Sequence, residues 1–94
     1  MSKIRIGPLD YKIKTVIGLN ENGQKIDGQV HHWKSLIRLE QEMNAQCTRE
    51  TLWHEVLHAI LTQAGYSEQN EAMLEAISHG VMGVLRDNPW MREL

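Results

Sequence analysis

Phenylalanine is missing from these 94 residues, and cysteine, proline and tyrosine are scarce, at one, two and two copies. With Cys47 alone, no internal disulfide can staple the fold. With so few aromatic residues, a core has to be built from Ile, Leu, Val, Met and Ala, helped by three Trp. An excess of one charge is also missing, since ten Lys and Arg stand against twelve Asp and Glu. That balance provides no basic footprint for a nucleic acid. No run approaches the roughly eighteen apolar residues that a membrane span requires. Residues 1–10 mix Lys3 and Arg5 with isolated apolar residues and lack the apolar stretch of a signal peptide. The expectation is a cytoplasmic protein without nucleic-acid or membrane partners. Residues 1–94 are enough for one domain with one small core, to which a bound metal would add stability.

What is present falls into two halves. Up to residue 40, short apolar runs alternate with Gly, Pro and Asn. Ile4 and Ile6 precede Gly7-Pro8, and Tyr11, Ile13, Thr15 and Ile17 recur with period two, which predicts strands with one buried face. Residues 18–28 carry Asn22-Gly23 and Asp27-Gly28 and read as a loop. Two further strands are expected at residues 28–31 and 35–40, joined by a tight turn at His32-Trp33-Lys34. Ile37 and Leu39 should face the core, with Arg38 and Glu40 outward.

From Thr48 the apolar period becomes that of a helix. Leu52, Trp53, Val56, Leu57, Ala59, Ile60, Leu61 and Ala64 cover most of the circumference, which predicts burial on more than one side. Thr48 is the expected N-cap and Gly65 the expected C-cap. A second helix is expected over residues 68–86, stopped by Asp87-Asn88-Pro89. The fold class predicted is α+β, a small antiparallel sheet followed by two packed helices.

The first of these helices carries His54-Glu55-Val56-Leu57-His58, a complete H-E-x-x-H. Residues four apart lie about 40° apart around the axis and about 6 Å along it, so both imidazoles can reach one metal ion. Glu55 projects about 100° away from His54, placed to contact a water rather than the metal. The base assigned is Glu55, and the ion assigned is Zn2+, which suits imidazole and carboxylate donors at a tetrahedral site. With five His and nine Glu in the chain, such a motif arises by chance only about 2% of the time.

A catalytic zinc site normally takes three protein ligands. Glu71, Glu75 and His79 follow at i, i+4 and i+8 on one face of the second helix. Glu75 is the first choice, because Leu74, Ala76 and Ile77 around it read as core-facing, where a carboxylate without a partner is costly to bury. His79 is then a group supporting a ligand or stabilising a developing oxyanion. His79 or Glu71 as the third ligand remain open alternatives.

The run Thr51-Leu52-Trp53-His54-Glu55-Val56-Leu57-His58-Ala59 resembles the active-site helix of zincin metallopeptidases. With the strand Leu36-Ile37-Arg38-Leu39 before it and residues 71–80 after it, the arrangement is similar to small gluzincin-like proteins of phages and prophages, distant relatives of the ImmA/IrrE peptidases. The resemblance implies a glutamate on a later helix as third ligand, which favours Glu75. Thermolysin-like members carry an aspartate one turn after that glutamate, where this sequence has His79. It also implies that a strand before the active helix takes up extended peptide at a sheet edge, with Leu36–Glu40 the first candidate and Gly28–His31 the second. Leu61 and Ala64 stand where metzincins have a glycine and a third histidine.

The function expected is therefore a zinc-dependent hydrolase of peptide or amide bonds with a peptide or protein substrate. The alternative is a non-enzymatic zinc-stabilised binding module, and a third reading is a metal-free protein with an accidental motif. Among the other residues, His31-His32 are expected at the surface, Tyr66 over the core, and Cys47 inert. Trp33 and Trp90 are read as hydrophobic plugs. Met73, Met82 and Met91 are read as core filler or a helix–helix seam, a homo-oligomer being one way to cover them.

Overall fold

Gly7, at φ +57°, reverses the chain between the first two strands of the computed structural model, which describes residues 2–94. Strands β1 (Lys3–Ile6) and β2 (Leu9–Val16) pair antiparallel around that turn. The period-two pattern holds over the first part of β2, where Tyr11 is buried, Ile13 half-buried and Lys12 and Lys14 exposed, and fails beyond it, where Thr15 and Ile17 are exposed. The loop after it contains a miniature ladder, β3 (Asn20–Glu21) with β4 (Gln24–Lys25). Asn22 and Gly23 both take positive φ between them, the requirement of the tightest hairpin turn. Strand β5 (Gly28–His31) then leads through a 3-10 turn at His32–Lys34 into β6 (Leu36–Glu40).

The main sheet has the order β1-β2-β6-β5. Its two outer pairs are antiparallel and the central β2–β6 pair is parallel, so the sheet is mostly antiparallel rather than wholly so. The cause is the long connection after β2, which carries the chain to the far edge before β6 returns alongside β2. β6 is thus interior, with Ile37 and Leu39 fully buried. The outward expectation for Glu40 fails. Its carboxylate accepts the Leu19 N–H at 2.9 Å and the Glu42 N–H at 3.1 Å, and the residue is buried at the strand end.

Helix α1 (Ala45–Gln63) starts three residues before the expected cap. Asn44 is the N-cap, its side chain accepting the Cys47 N–H at 2.8 Å, while Thr48 donates its hydroxyl to the Asn44 carbonyl. Gly65 ends the helix in the left-handed region at φ +95°, as expected. Val56 and Ala59 join Ile6, Tyr11, Ile37 and Leu39 in the core between α1 and the sheet. Burial of a single such aliphatic side chain contributes about 1.5–3 kcal/mol.

Helix α2 (Glu71–Asp87) begins at Asn70, whose side chain accepts the Met73 N–H, and ends before Pro89. Only Leu74 and Ser78 of this helix are buried. Ala76 and Ile77 face outward with Met73 and Val84, so the stretch around Glu75 is not the core-facing one expected. Trp33 and Trp90 are exposed and plug nothing, and Tyr66 lies open rather than over the core. Among the described residues, no helix is long and apolar enough to cross a membrane.

Candidate metal centre

Helical geometry brings the first two donors together. His54 and His58, one turn apart on α1, point their Nε2 atoms at each other across 3.2 Å. A tetrahedron with metal–nitrogen bonds of 2.0–2.1 Å has edges of about 3.3–3.4 Å. The third donor is Glu71, the first residue of α2. Its Oε2 stands 2.7 Å from His54 Nε2 and its Oε1 3.0 Å from His58 Nε2. These three side chains are the one group of converging metal-type donors among the described residues.

Glu75, the first choice from sequence, lies outside that group. Its carboxylate is 3.8 Å from His79 Nε2, which is also 3.8 Å from the Glu50 carboxylate. Glu71, Glu75 and His79 do share a face, as their spacing implied, but α2 meets the two histidines with its first turn. A step of one turn carries Glu75 about 6 Å further along the axis. The signal that separates the candidates is Asn70, a good N-cap residue, which places Glu71 at the helix start.

One residue of the centre escaped the sequence reading altogether. Gln69 donates from its amide nitrogen to Tyr66 O at 2.7 Å and to Thr62 Oγ1 at 3.0 Å. Its Oε1 is thereby left to accept, and it faces His58 Nδ1 at 2.6 Å. A His58 ring that donates from Nδ1 to this oxygen has its Nε2, 3.0 Å from Glu71 and 3.2 Å from His54, available to a metal, the tautomer that metal binding requires. The site passes the test of fit for a divalent ion, since two imidazoles and a carboxylate converge there with an acceptor held at His58 Nδ1. Thr62 in turn hydrogen-bonds with His32 Nε2 at 3.3 Å. The position of Gln69, in the connection between helices, carries no periodic signal that could have revealed it.

Glu55 projects away from the donors, as the 100° step requires. The residue is only 7% exposed, yet its carboxylate oxygens still reach solvent, and the one fully enclosed side-chain polar atom without a partner among the described residues is His32 Nδ1. Burial pushes its pKa up, partly offset by His58 and His54. Gly28 on β5 permits this packing: a Cβ there would stand 2.6 Å from Thr51 Cγ2 and 3.3 Å from Glu55 Cγ. Burial alone would also raise Glu71, but the hydrogen bond with His54 and the neighbouring His58 outweigh it and hold that carboxyl below its ordinary value.

A cleft of about 710 Å3 opens over His54, Glu55 and His58, walled by β5 on one side and by Gln69 and Glu71 on the other. β6, the first candidate for peptide uptake, is paired on both sides and has no free edge. β5, the second candidate, is the edge strand, and it lines the cleft. His31 and His32 line the same wall rather than a separate surface. Burial, then His58 and His31, lower the His32 pKa.

No protein-family profile, curated protein or solved structure matches the chain. The site is therefore read from its own geometry. Two nitrogens and one carboxylate make a donor set compatible with a metal ion and leave it further coordination positions.

Proposed function

We propose that the chain is a zinc-dependent hydrolase, most specifically a peptidase, in which His54, His58 and Glu71 hold the metal and Glu55 is the general base. The observation that carries this reading is the convergence of three donors within 2.7–3.2 Å in an open cleft that the largely buried Glu55 also lines. Bound zinc would supply Lewis acidity, polarising a carbonyl and making a water acidic near neutral pH. Glu55 accepts the proton of the attacking water and returns it to the leaving nitrogen. Largely buried beside the donors, its carboxylate opens onto the cleft where the water would sit. Gln69 holds the His58 ring in register. The free edge of β5 offers main-chain N–H and C=O groups to an extended peptide. The gluzincin-like resemblance is part of this proposal, supported by the H-E-x-x-H and by a glutamate on the following helix.

The test is hydrolysis of unstructured peptides by the zinc-loaded protein, native against Glu55→Gln. The variant should keep its zinc and lose activity by about 10²–10⁴-fold, the usual contribution of a general base. Equal rates in the two proteins would remove Glu55 from the role.

One observation favours a second reading, a zinc-stabilised binding module. α2 contributes only Leu74 and Ser78 to the interior, so a metal shared between Glu71 and α1 would act as a staple. That reading predicts zinc-dependent stability with no hydrolysis in the native protein.

A further inference from the structure

Helix α1 packs against one side of α2, where Leu74 and Ser78 are buried. A different side carries Met73, Ile77, Gly80 and Val84, which lie within about 60° of one another around the axis. Their 4-3-4 spacing is the repeat that keeps one seam of a helix against a second helix. All four are exposed, and so is Met91, which stands beside the seam in the 3-10 turn Pro89–Glu93. Between α2 and that turn runs a groove of about 440 Å3, lined by Ile77, Gly80, Val81, Val84, Leu85 and Met91, all apolar or without a side chain.

The strip has the size of an interface. Met73, Ile77, Val84 and Met91 are exposed to 61%, 43%, 47% and 36%, which leaves on the order of 400 Å2 of apolar surface in one patch. A standard interface takes about 800 Å2 from each partner, of which about 56–65% is apolar. The strip supplies most of that apolar share.

It is also complementary to itself. Residues 77 and 80, like 73 and 84, are symmetric about one point, between Ser78 and His79. A second α2 laid antiparallel with its Gly80 against Ile77 therefore also sets its Val84 against Met73. A two-fold axis repeats both contacts, as a self-complementary interface requires. At the centre a large side chain meets an absent one: a Cβ built on Gly80 would meet no atom within 4 Å, so the partner's Ile77 finds open space there. The partner's Met73, a flexible thioether, falls beside Val84 and Met91 at the groove. The same register brings Asp87 to the partner's Asn70, the N-cap of its α2, where the helix dipole favours a negative charge. A parallel pair would instead oppose Gly80 to Gly80 and Asp87 to Asp87.

We propose that two copies of the chain pair antiparallel through this face of α2 and form a homodimer. The proposal is independent of the hydrolase reading, because Met73, Ile77, Gly80 and Val84 lie outside the group of metal-type donors.

The experiment is analytical ultracentrifugation of the full chain. The native protein should sediment with twice the mass of one chain, with a dissociation constant in the micromolar range. Ile77→Asp, which places a charge on the seam, should sediment as single chains. Gly80→Leu should do the same, because it fills the space for the partner's Ile77. It also replaces a glycine inside a helix by a better helix former, so an unchanged helical circular dichroism spectrum separates lost pairing from lost fold. Trp33→Ala, at an exposed residue outside the strip, should keep the doubled mass. For the register, Ile77→Cys and Gly80→Cys are each made in a Cys47→Ser background. The mixture of the two should cross-link under mild oxidation faster than either alone. A native protein that stays single at millimolar concentration, or that forms species larger than a dimer, overturns the proposal. So does a folded Ile77→Asp or Gly80→Leu protein that keeps the doubled mass, or cysteine variants that each link fastest to themselves, the mark of a parallel pair.

Discussion

At the scale of single residues, the centre depends on which atom of each side chain carries a proton. The Gln69 amide, fixed by Tyr66 O and Thr62 Oγ1, turns an acceptor toward His58 Nδ1 and so frees Nε2. Gln69→Ala should weaken zinc affinity by about 10–100-fold, the usual effect of losing such an orienting partner. Gln69→Glu, which still accepts from Nδ1, should restore most of it. Competition with a chelating dye measures both, and equal affinities in the native and Ala proteins would show that Gln69 does not orient His58. At this scale the H-E-x-x-H was legible because its geometry is local, set by the turn of one helix. The third ligand was not, because Glu71, Glu75 and His79 are equivalent by spacing and only the starting point of α2 separates them.

At the scale of elements, strand order decides which edge can meet a substrate. Sequence alternation found β5 and β6 but could not show that β6 is enclosed by β2 and β5, a long-range property. The same strand misled on Glu40. Period two assigns it to solvent, yet it sits where β6 ends and closes the loop by accepting from Leu19 and Glu42. The N–H groups of Glu42 and Leu19 hold its carboxyl below the ordinary value. The ionised form is therefore favoured in the fold. Its stabilising effect is complete above the ordinary carboxylate value of 4.5 and is lost as pH falls through the lowered, folded one. Glu40→Gln should thus melt below the native protein at neutral pH, with the gap closing on acidification. A gap independent of pH in thermal melts would contradict this account of the strand end.

At the scale of the whole molecule, the α+β class was legible because the apolar period changes from two to that of a helix near Thr48. The extent of burial was not. α1 and α2 are both rich in apolar residues, but with one thin sheet and one narrow helix contact there is little interior to receive them. Ile60, Met73, Ile77 and Val84 remain exposed as a result. A fold with so small a core should gain markedly from a ligand that joins its parts. At a free zinc concentration one hundred times Kd, binding adds about 2.7 kcal/mol. For a chain of this size that raises Tm by on the order of 10 °C. Calorimetry with zinc and with chelator checks it, and identical melts would remove the metal from the account of stability.

The central claim is that His54, His58 and Glu71 form the metal centre, and the most direct test is metal content by mass spectrometry after purification without chelator or nickel. Native protein and Glu75→Ala should both carry stoichiometric zinc, while His58→Ala and Glu71→Ala should lose it. Native protein that stays empty after zinc is added back, or a Glu71→Ala variant that keeps its zinc while Glu75→Ala loses it, would contradict the centre described here.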